Sequence, residues 1–288
     1  MSRGGVSVSI AARLLTKSQH LYRIILLPDR ESDQKRGIMR AFRRQHASFR
    51  YYGELNDFLP PFRRFVSISH GFELPASVKD MIESMGVPHT EVDLILHDGT
   101  PVDFAHLVQN GDRISVFPTF RALDVSPVLQ LRPRLQDHHF ILDSHLGRLA
   151  TYLRLLGFDA LYRNDFEDAE LARASHCEQR VLLTRDRGLL KRNEVIYGYF
   201  IRATEARRQA VEVLRRFGLS SSIAPFCRCL RCNVLLNPVA KESVIERLQP
   251  KTRRYYDEFR ICPACNRLFW DGCKRRSKNR SQYAAGAA

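Results

Sequence analysis

The sequence predicts an α/β protein in which a small β-grasp sheet precedes a domain with a parallel sheet and a cysteine-rich C-terminal module. In residues 47–121, alternating strands flank one helix. In residues 138–219, short apolar strands alternate with helices, which is typical of a parallel sheet covered on both faces. Six of the seven cysteines lie between positions 227 and 273, which indicates a separate metal-binding module.

The composition is that of a globular protein with two or three domains. Hydrophobic residues make up 44% and charged residues 27% of the 288-residue chain, which argues against global disorder. Its longest apolar runs fall far short of the ~18–20 residues that a membrane span needs, so we expect no membrane contact. Few, clustered cysteines favour metal binding over a disulfide framework, and hence a reducing, cytoplasmic location.

The formal net charge of +15 is unevenly distributed. It is +7 over residues 1–46, −4 over 47–121, +3 over 122–218 and +9 over 219–288. Basic ends are typical of a protein that approaches a polyanion, although surface arginine that only maintains solubility gives the same count. We interpret residues 1–46 as a basic N-terminal extension that is disordered or lies upstream of the true start. A transit peptide is the alternative.

Residues 47–121 have the order strand, strand, helix, strand, strand. The segments ASFRYYG and RRFVSISH alternate in polarity. Ser77 is a typical N-cap of the helix that follows, which Gly86 and Pro88 end. The segments VDLIL and RISVFP complete a small sheet that grasps one helix.

Residues 122–137 contain two prolines and have no clean period, so we interpret them as a linker. After them, HFILD, FDALYR, RVLLT and VIYGYFI are predicted strands separated by helical segments. The ligand site of such a sheet lies at the carboxyl ends of its strands. The zinc-binding module and a basic tail would then occupy residues 220–288.

Acidic residues lie where this fold places an active site. Asp143 ends one strand and Asp186 follows another, while Asp165 and Asp168 belong to an acidic segment after the second strand. Gathered carboxylates repel one another unless a hard cation such as Mg²⁺ or Mn²⁺ joins them. The alternative is that Asp143 and Asp168 only cap the helices that follow them.

Four arginines near these acids are candidate RNA-phosphate ligands: Arg148, Arg154, Arg185 and Arg187. A metal-binding acid cluster surrounded by arginines is the charge distribution that a nuclease requires. Any one of these arginines could instead pair with an acid. The histidines His70, His97, His138, His139 and His145 show no ligand spacing, and we assign them no chemistry.

Two CxxC motifs give the strongest local signal. Cys229 and Cys232 are separated by 29 residues from Cys262 and Cys265, and four thiolates of this kind fit structural Zn²⁺. Cys227 could compete with Cys229 as a ligand. The gap contains a predicted helix, SVIERLQP.

The segments LDSHLGRLATYLRLLGFD, LLTRD, CRCLRCN and CPACNRLFWDG, in that order, resemble the Mut-seven C-terminal RNase family. That family joins a PIN-like nuclease domain to a zinc ribbon. The segments VKDMIESMGVPHTEVDLILHDG and NGDRISVFPTF resemble the ubiquitin-like domain that often precedes it. The sequence departs from the family's Gly-Ser-His after Trp270, where it has Asp271, Gly272 and Cys273.

The resemblance implies a metal-dependent ribonuclease whose catalytic acids are Asp143, Asp168 and Asp186, with Asp165 as a further candidate. Mg²⁺ or Mn²⁺ would be catalytic and Zn²⁺ structural, RNA would be the substrate, and the ubiquitin-like domain could recruit a protein partner. Two rival interpretations stay open. One is a non-catalytic RNA-binding or ribosome-associated module, and the other is an adaptor that acts through the β-grasp domain.

Overall fold

The computed structural model describes residues 44–119, 131–133, 135 and 137–270. The predicted basic extension lies outside these ranges except for its last three residues. Most of the predicted linker, the basic tail and Cys273 also lie outside them. None of the helices within the described ranges is long and apolar enough to cross a membrane.

The first sheet has five strands in the order β2-β1-β5-β3-β4, with β1 and β5 parallel and the other neighbours antiparallel. Its strands are β1 (Gln45–Tyr51), β2 (Ser67–Phe72), β3 (Val92–His97), β4 (Thr100–Pro101) and β5 (Arg113–Pro118). Short 3-10 helices cover Gly53–Phe58, Pro61–Arg63 and His89–Glu91. The predicted β-grasp arrangement is confirmed, with the first strand beginning two residues earlier than predicted.

Helix α1 (Val78–Ser84) covers one face of this sheet. The Ser77 hydroxyl accepts a hydrogen bond from Asp80 N at 3.1 Å, so Ser77 is the predicted N-cap. Met81 and Ile82 pack with Phe49 of β1 in one buried apolar cluster. The sheet and the helix therefore share a core that the alternating strands predict.

The second sheet has four parallel strands in the order β7-β6-β8-β9. They are β6 (Phe140–Leu142), β7 (Ala160–Tyr162), β8 (Val181–Thr184) and β9 (Gly198–Phe200). Its helices are α2 (Gly147–Leu155), α3 (Asp168–Cys177), α4 (Arg187–Leu190) and α5 (Ala206–Arg216), with a 3-10 turn at Ser144–Leu146.

Both faces of the parallel sheet are buried. Phe140 and Leu142 of β6 pack on one side with residues of α2 and α5, whereas Ile141 packs on the other side with residues of α3 and α4. Successive side chains of a strand point to opposite faces, so each strand residue enters one of two cores. The predicted doubly covered parallel sheet is confirmed.

The C-terminal region forms a three-stranded antiparallel sheet in the order β10-β11-β12. Its strands are β10 (Asn237–Val239), β11 (Phe259–Ile261) and β12 (Leu268–Trp270), with α6 (Lys241–Val244) and α7 (Pro250–Tyr255) between the first two and 3-10 turns at Leu219–Ser222 and Ile245–Arg247. The single helix predicted from SVIERLQP is therefore wrong. The segment has two short helical turns, and Pro250 begins a separate helix.

A partly buried polar cluster joins this region to the parallel-sheet domain. The Asp159 carboxylate accepts hydrogen bonds from Arg180 and from Asn233 Nδ2, both at 2.7 Å. Burial opposes ionisation of Asp159, but these hydrogen bonds and the charges of Arg180 and Arg228 outweigh it and hold its pKa below the usual range. Asn233 Oδ1 also accepts from Ala160 N at 3.0 Å, so one side chain connects to β7 and to Asp159.

We expect Asp159→Asn to lower the free energy of unfolding by about 1–3 kcal/mol at neutral pH, because it leaves the Arg180 guanidinium with a weaker partner. A carboxylate whose pKa is lowered on folding stabilises the fold above its unfolded pKa of ~3.9. That contribution is lost as the pH falls through the folded pKa. The difference between variant and wild type in chemical denaturation should therefore shrink below about pH 4.

The matched control is Asp257→Asn, which removes an exposed carboxylate paired with Lys241 at 2.8 Å. Exposed ion pairs contribute little, so this variant should unfold like the wild type. Equal stability of Asp159→Asn and wild type at neutral pH would contradict the role assigned to Asp159.

Candidate active site and zinc site

Two predicted acids lie at the carboxyl edge of the parallel sheet. Asp143 follows β6 directly, and Asp186 lies two residues beyond the end of β8. In the order β7-β6-β8-β9, the chain leaves β6 toward β7 and later returns to add β8 on the opposite side. The carboxyl ends of β6 and β8 therefore form a topological switch point, where open α/β sheets bind ligands.

The Thr184 side chain connects these two acids. Its hydroxyl donates to Asp143 Oδ2 at 2.5 Å and accepts a hydrogen bond from Asp186 N at 2.9 Å. Thr184 is the last residue of β8 and is fully buried. The carboxylate at the end of β6 and the backbone beyond β8 are thus held by one hydroxyl group.

Asp143 is nearly buried, with 7% of its surface exposed. Its other oxygen, Oδ1, accepts from Ser144 Oγ at 3.2 Å, and His145 Nδ1 lies 3.3 Å from Oδ2. The turn that follows receives no side-chain cap from Asp143. Asp143 occupies the N-cap position of this turn, but its carboxylate makes no capping hydrogen bond and is instead directed at neighbouring polar side chains.

Asp186 is exposed and caps α4. Its Oδ1 accepts from Gly188 N at 2.6 Å and from Leu189 N at 3.4 Å. The Asp186 carboxylate thus satisfies two N–H groups that have no partner within α4. Asp186 is thus an exposed cap of α4, and its backbone N–H is linked to Asp143 through the Thr184 hydroxyl.

The other two predicted acids are exposed, as Asp186 is. Asp168 is the first residue of α3, but Glu167 is the cap of that helix and forms a capping box with Glu170. The alternative in which Asp168 caps the helix is therefore wrong. Asp165 accepts two hydrogen bonds from Arg163, at 3.0 and 2.9 Å, which hold the pKa of its carboxyl below the usual range.

The predicted acids do not gather into one compact set of ligands. Within the described residues, two groups of three or more His, Cys, Asp or Glu side chains bring their ligand atoms within 4.8 Å of one another, and neither group contains these acids. The structure connects Asp143 and Asp186 through Thr184. A catalytic role for any of the four acids stays a prediction.

Three of the four predicted RNA-binding arginines are at least partly accessible. Arg148 is exposed in the first turn of α2. Arg185 donates to Ala203 O at 2.6 Å. Arg187 is exposed beside Asp186 and donates to Phe58 O in the β-grasp sheet region at 3.1 Å.

The structure corrects the role predicted for Arg154. Only 5% of this residue is exposed, and its guanidinium donates to Ala160 O at 2.9 Å and to the carbonyls of Leu230 and Arg231 at 3.0 Å. These bonds connect α2 to β7 and to the first CxxC segment. A buried guanidinium with its donors in use is not available to an RNA phosphate, so Arg154 is structural.

The four cysteines predicted to bind zinc lie together. The Sγ atoms of Cys229, Cys232, Cys262 and Cys265 are all within 4.8 Å of one another, and Cys229 and Cys262 are fully buried. Cys227 is outside this group, and its thiol instead lies 3.7 Å from Pro225 O. Four convergent sulfur atoms fit a structural zinc ion, whose ligands are thiolates in a tetrahedral site.

The two CxxC segments have the same local conformation. Asn233 N donates to Cys229 O and Asn266 N donates to Cys262 O, both at 2.9 Å. Both asparagines have a left-handed backbone, with φ of 64° and 56°, a conformation that asparagine tolerates better than most residues. The Asn after each CxxC therefore allows the tight turn that directs both sulfur atoms inward.

The electrostatics of the cysteine cluster also favour a cation. A hydrogen bond with Cys265 raises the pKa of Cys232 to about 12. The Arg267 backbone N–H lowers the pKa of Cys265 to about 7. Four adjacent thiols cannot all ionise without a compensating positive charge, which a bound divalent metal supplies.

Thr184 is the site residue that sequence reasoning missed. Its signal is a polar residue at the last position of an otherwise apolar strand, two residues before Asp186. The proximity of His145 to Asp143 follows from their separation by two residues, but the sequence does not show which way the ring points.

Comparison with known proteins agrees with this architecture. The family model described as the Mut7-C RNAse domain matches residues 138–281, which is half of the chain. The family model described as Mut7-C ubiquitin matches residues 44–124, the region of the β-grasp sheet. No curated protein matches the chain. The extent of the first match, over a parallel sheet followed by a four-cysteine cluster, shows that the chain belongs to the Mut7-C RNase domain family.

Proposed function

We propose that this chain is a metal-dependent ribonuclease that hydrolyses RNA phosphodiester bonds at the carboxyl edge of its parallel sheet. Asp143 and Asp186 are the central acids, and Asp168 and Asp165 contribute from the neighbouring loop and helix. The observation that carries the proposal is the connection of Asp143 to Asp186 through Thr184, at the switch point of a domain that matches an RNase family.

The donor set fits a hard divalent cation. Asp143 and Asp186 offer only oxygen ligands, and Mg²⁺ binds through one or two carboxylates together with waters and substrate phosphates. Mg²⁺ or Mn²⁺ bound there supplies charge neutralisation for the phosphate and a water of lowered pKa. Two carboxylates are sufficient for such a site.

Side chains and backbone amides of the protein hold the acids at this edge in position. Thr184 keeps Asp143 Oδ2 and the Asp186 backbone at fixed positions, so the two acids need little reorganisation. The backbone amides of Gly188 and Leu189 at the start of α4 hold the Asp186 carboxylate in place. Arg148 and Arg187, both exposed, would bind RNA phosphates, and Arg185 would contribute from a half-buried position.

We expect Asp143→Asn and Asp186→Asn each to lower the rate of RNA cleavage with Mg²⁺ or Mn²⁺ by at least about 100-fold, because each removes a preorganised charge from the site. Cleavage of a labelled RNA, followed on gels under single-turnover conditions, measures this rate. Circular dichroism and thermal unfolding check that the variants fold.

The matched control is Glu178→Gln. Glu178 is exposed and precedes β8, so it lies toward the opposite, amino end of the same sheet. This variant should cleave RNA like the wild type. If both aspartate variants cleave RNA as the wild type does, Asp143 and Asp186 do not form the active site. RNA binding without cleavage under any metal would favour the rival, non-catalytic module.

We expect Arg148→Ala to weaken RNA binding several-fold and to reduce the slope of log K against log salt by about 1, as for one lost phosphate contact. Arg50→Ala, which removes an exposed arginine from β1 of the ubiquitin-like domain, is the control and should leave the slope unchanged. Filter binding of a catalytically inactive variant across salt concentrations measures the slope. An unchanged slope for Arg148→Ala would exclude that contact.

We also infer that the four-cysteine cluster holds one structural Zn²⁺ and that the ribbon it stabilises assists RNA binding. Cys262→Ser should lose about one tightly bound zinc per chain and unfold at a lower temperature, because a closed thiolate site contributes directly to folding. Elemental analysis of dialysed protein measures the loss. Cys177→Ser, which replaces an exposed thiol, is the control, and a zinc content equal in all three proteins would refute the assignment.

A further inference from the structure

Three side chains converge at one edge of the ubiquitin-like domain. His97 ends β3, His106 lies in the loop after β4, and Asp112 immediately precedes β5. Nothing in their sequence spacing suggests a common site. The fold brings them together because β3 pairs with both β4 and β5.

The ligand atoms have the separations that a metal ion requires. His97 Nε2 lies 3.1 Å from Asp112 Oδ1, and His106 Nε2 lies 3.8 Å from Asp112 Oδ2. The three ligand atoms lie within 4.8 Å of one another. In a tetrahedral zinc site with bonds of ~2.0–2.1 Å, ligand atoms are about 3.4 Å apart. The observed separations lie on either side of that value.

A simple hydrogen-bonded cluster leaves part of this group unsatisfied. His97 can donate to Asp112, but 3.8 Å is too long for a hydrogen bond from His106. His106 Nε2 is buried and has no hydrogen-bond partner among the described residues. A buried polar nitrogen without a partner is costly, whereas a metal ion between the three side chains would satisfy it.

The surroundings also resemble those of a metal site. Asp112 is largely buried, and its Oδ2 accepts a hydrogen bond from Gln109 N at 2.8 Å, which orients the carboxylate. Asp98 Oδ2 lies 3.3 Å from His97 Nε2 and adds a second negative charge. The two imidazole rings lie 4.7 Å apart and direct both Nε2 atoms toward Asp112.

We propose that His97, His106 and Asp112 form a second metal site, which binds Zn²⁺ through two imidazole nitrogens and one carboxylate. Mixed nitrogen and oxygen ligands select a borderline cation of this kind over Mg²⁺. Three protein ligands leave the fourth position for water or an external ligand. The site is separate from the cysteine cluster and from Asp143 and Asp186, so it stands whether or not the chain cleaves RNA.

The test uses the full-length chain with zinc retained at the cysteines. Isothermal titration with Zn²⁺ should detect one further equivalent in the wild type. His97→Ala and His106→Ala should each lower the affinity for this further zinc ion. The loss should exceed the about 10–100-fold change that follows removal of an outer-shell partner. His46→Ala, an exposed histidine on β1, is the matched control and should bind like the wild type.

Cobalt distinguishes this site from the cysteines without any substitution. Co²⁺ added to the zinc-loaded wild type should give the weak visible bands of nitrogen and oxygen ligation and no thiolate charge-transfer band. A wild type that takes up no second equivalent would overturn the proposal. A second equivalent with thiolate bands, or one that both histidine variants retain while folded, would overturn it as well.

Discussion

The parallel order of strands β7-β6-β8-β9 is the constraint on which the proposed site depends. Parallel strands end at one edge, so acids that follow different strands lie at that edge although they are 43 positions apart in the chain, as Asp143 and Asp186 are. Carboxylates at one edge repel each other, and the structure offsets this repulsion with nearby donors. The Thr184 hydroxyl donates a hydrogen bond to Asp143, and the backbone amides at the start of α4 donate to Asp186. The two carboxylates at this edge are therefore held in position by hydrogen bonds.

The ubiquitin-like domain packs against this edge and is not a loosely tethered module. Glu91 is fully buried, and its Oε1 accepts a hydrogen bond from Phe200 N of β9 at 2.6 Å. Burial raises the pKa of Glu91, and the nearby charges of Arg216 and Arg202 oppose that rise. Arg187, next to Asp186, meets the same domain at Phe58 O. The ubiquitin-like domain therefore contributes to the surroundings of the proposed site.

Features that depend on local sequence patterns could be predicted from the sequence, whereas features that depend on long-range packing could not. The CxxC segments, the Ser77 cap and the alternation of strands and helices depend on neighbours in the chain, so they could be predicted. The position of the acids at one edge follows from parallel topology, which the alternation implies. Which acidic side chains approach one another cannot be predicted in this way. That depends on the directions of the side chains at the strand ends, which the spacing of residues in the sequence does not encode.

Arg154 and the histidines illustrate the same limit. Arg154 has the sequence surroundings of a surface arginine, but its three carbonyl acceptors come from β7 and from a segment more than 70 residues away. His97 and His106 have no ligand spacing, yet strand pairing brings both to Asp112. A residue whose function depends on distant backbone partners leaves no periodic signal. Its role appears only when the fold is known.

Several arginines of the parallel-sheet domain are engaged with protein groups. Arg154, Arg180 and Arg202 all donate hydrogen bonds to carbonyl or carboxylate oxygens of the protein. Exposed arginines in the ribbon, such as Arg231 and Arg253, lie in the part of the chain with the largest positive charge. Because Arg154 donates to Leu230 O and Arg231 O, the ribbon has a defined position relative to α2. The ribbon thus contacts the last turn of α2 and the first residue of β7, whereas Arg148 lies in the first turn of α2, the end of the helix that follows Asp143. An RNA strand that contacts both the ribbon and the acids would therefore run along α2.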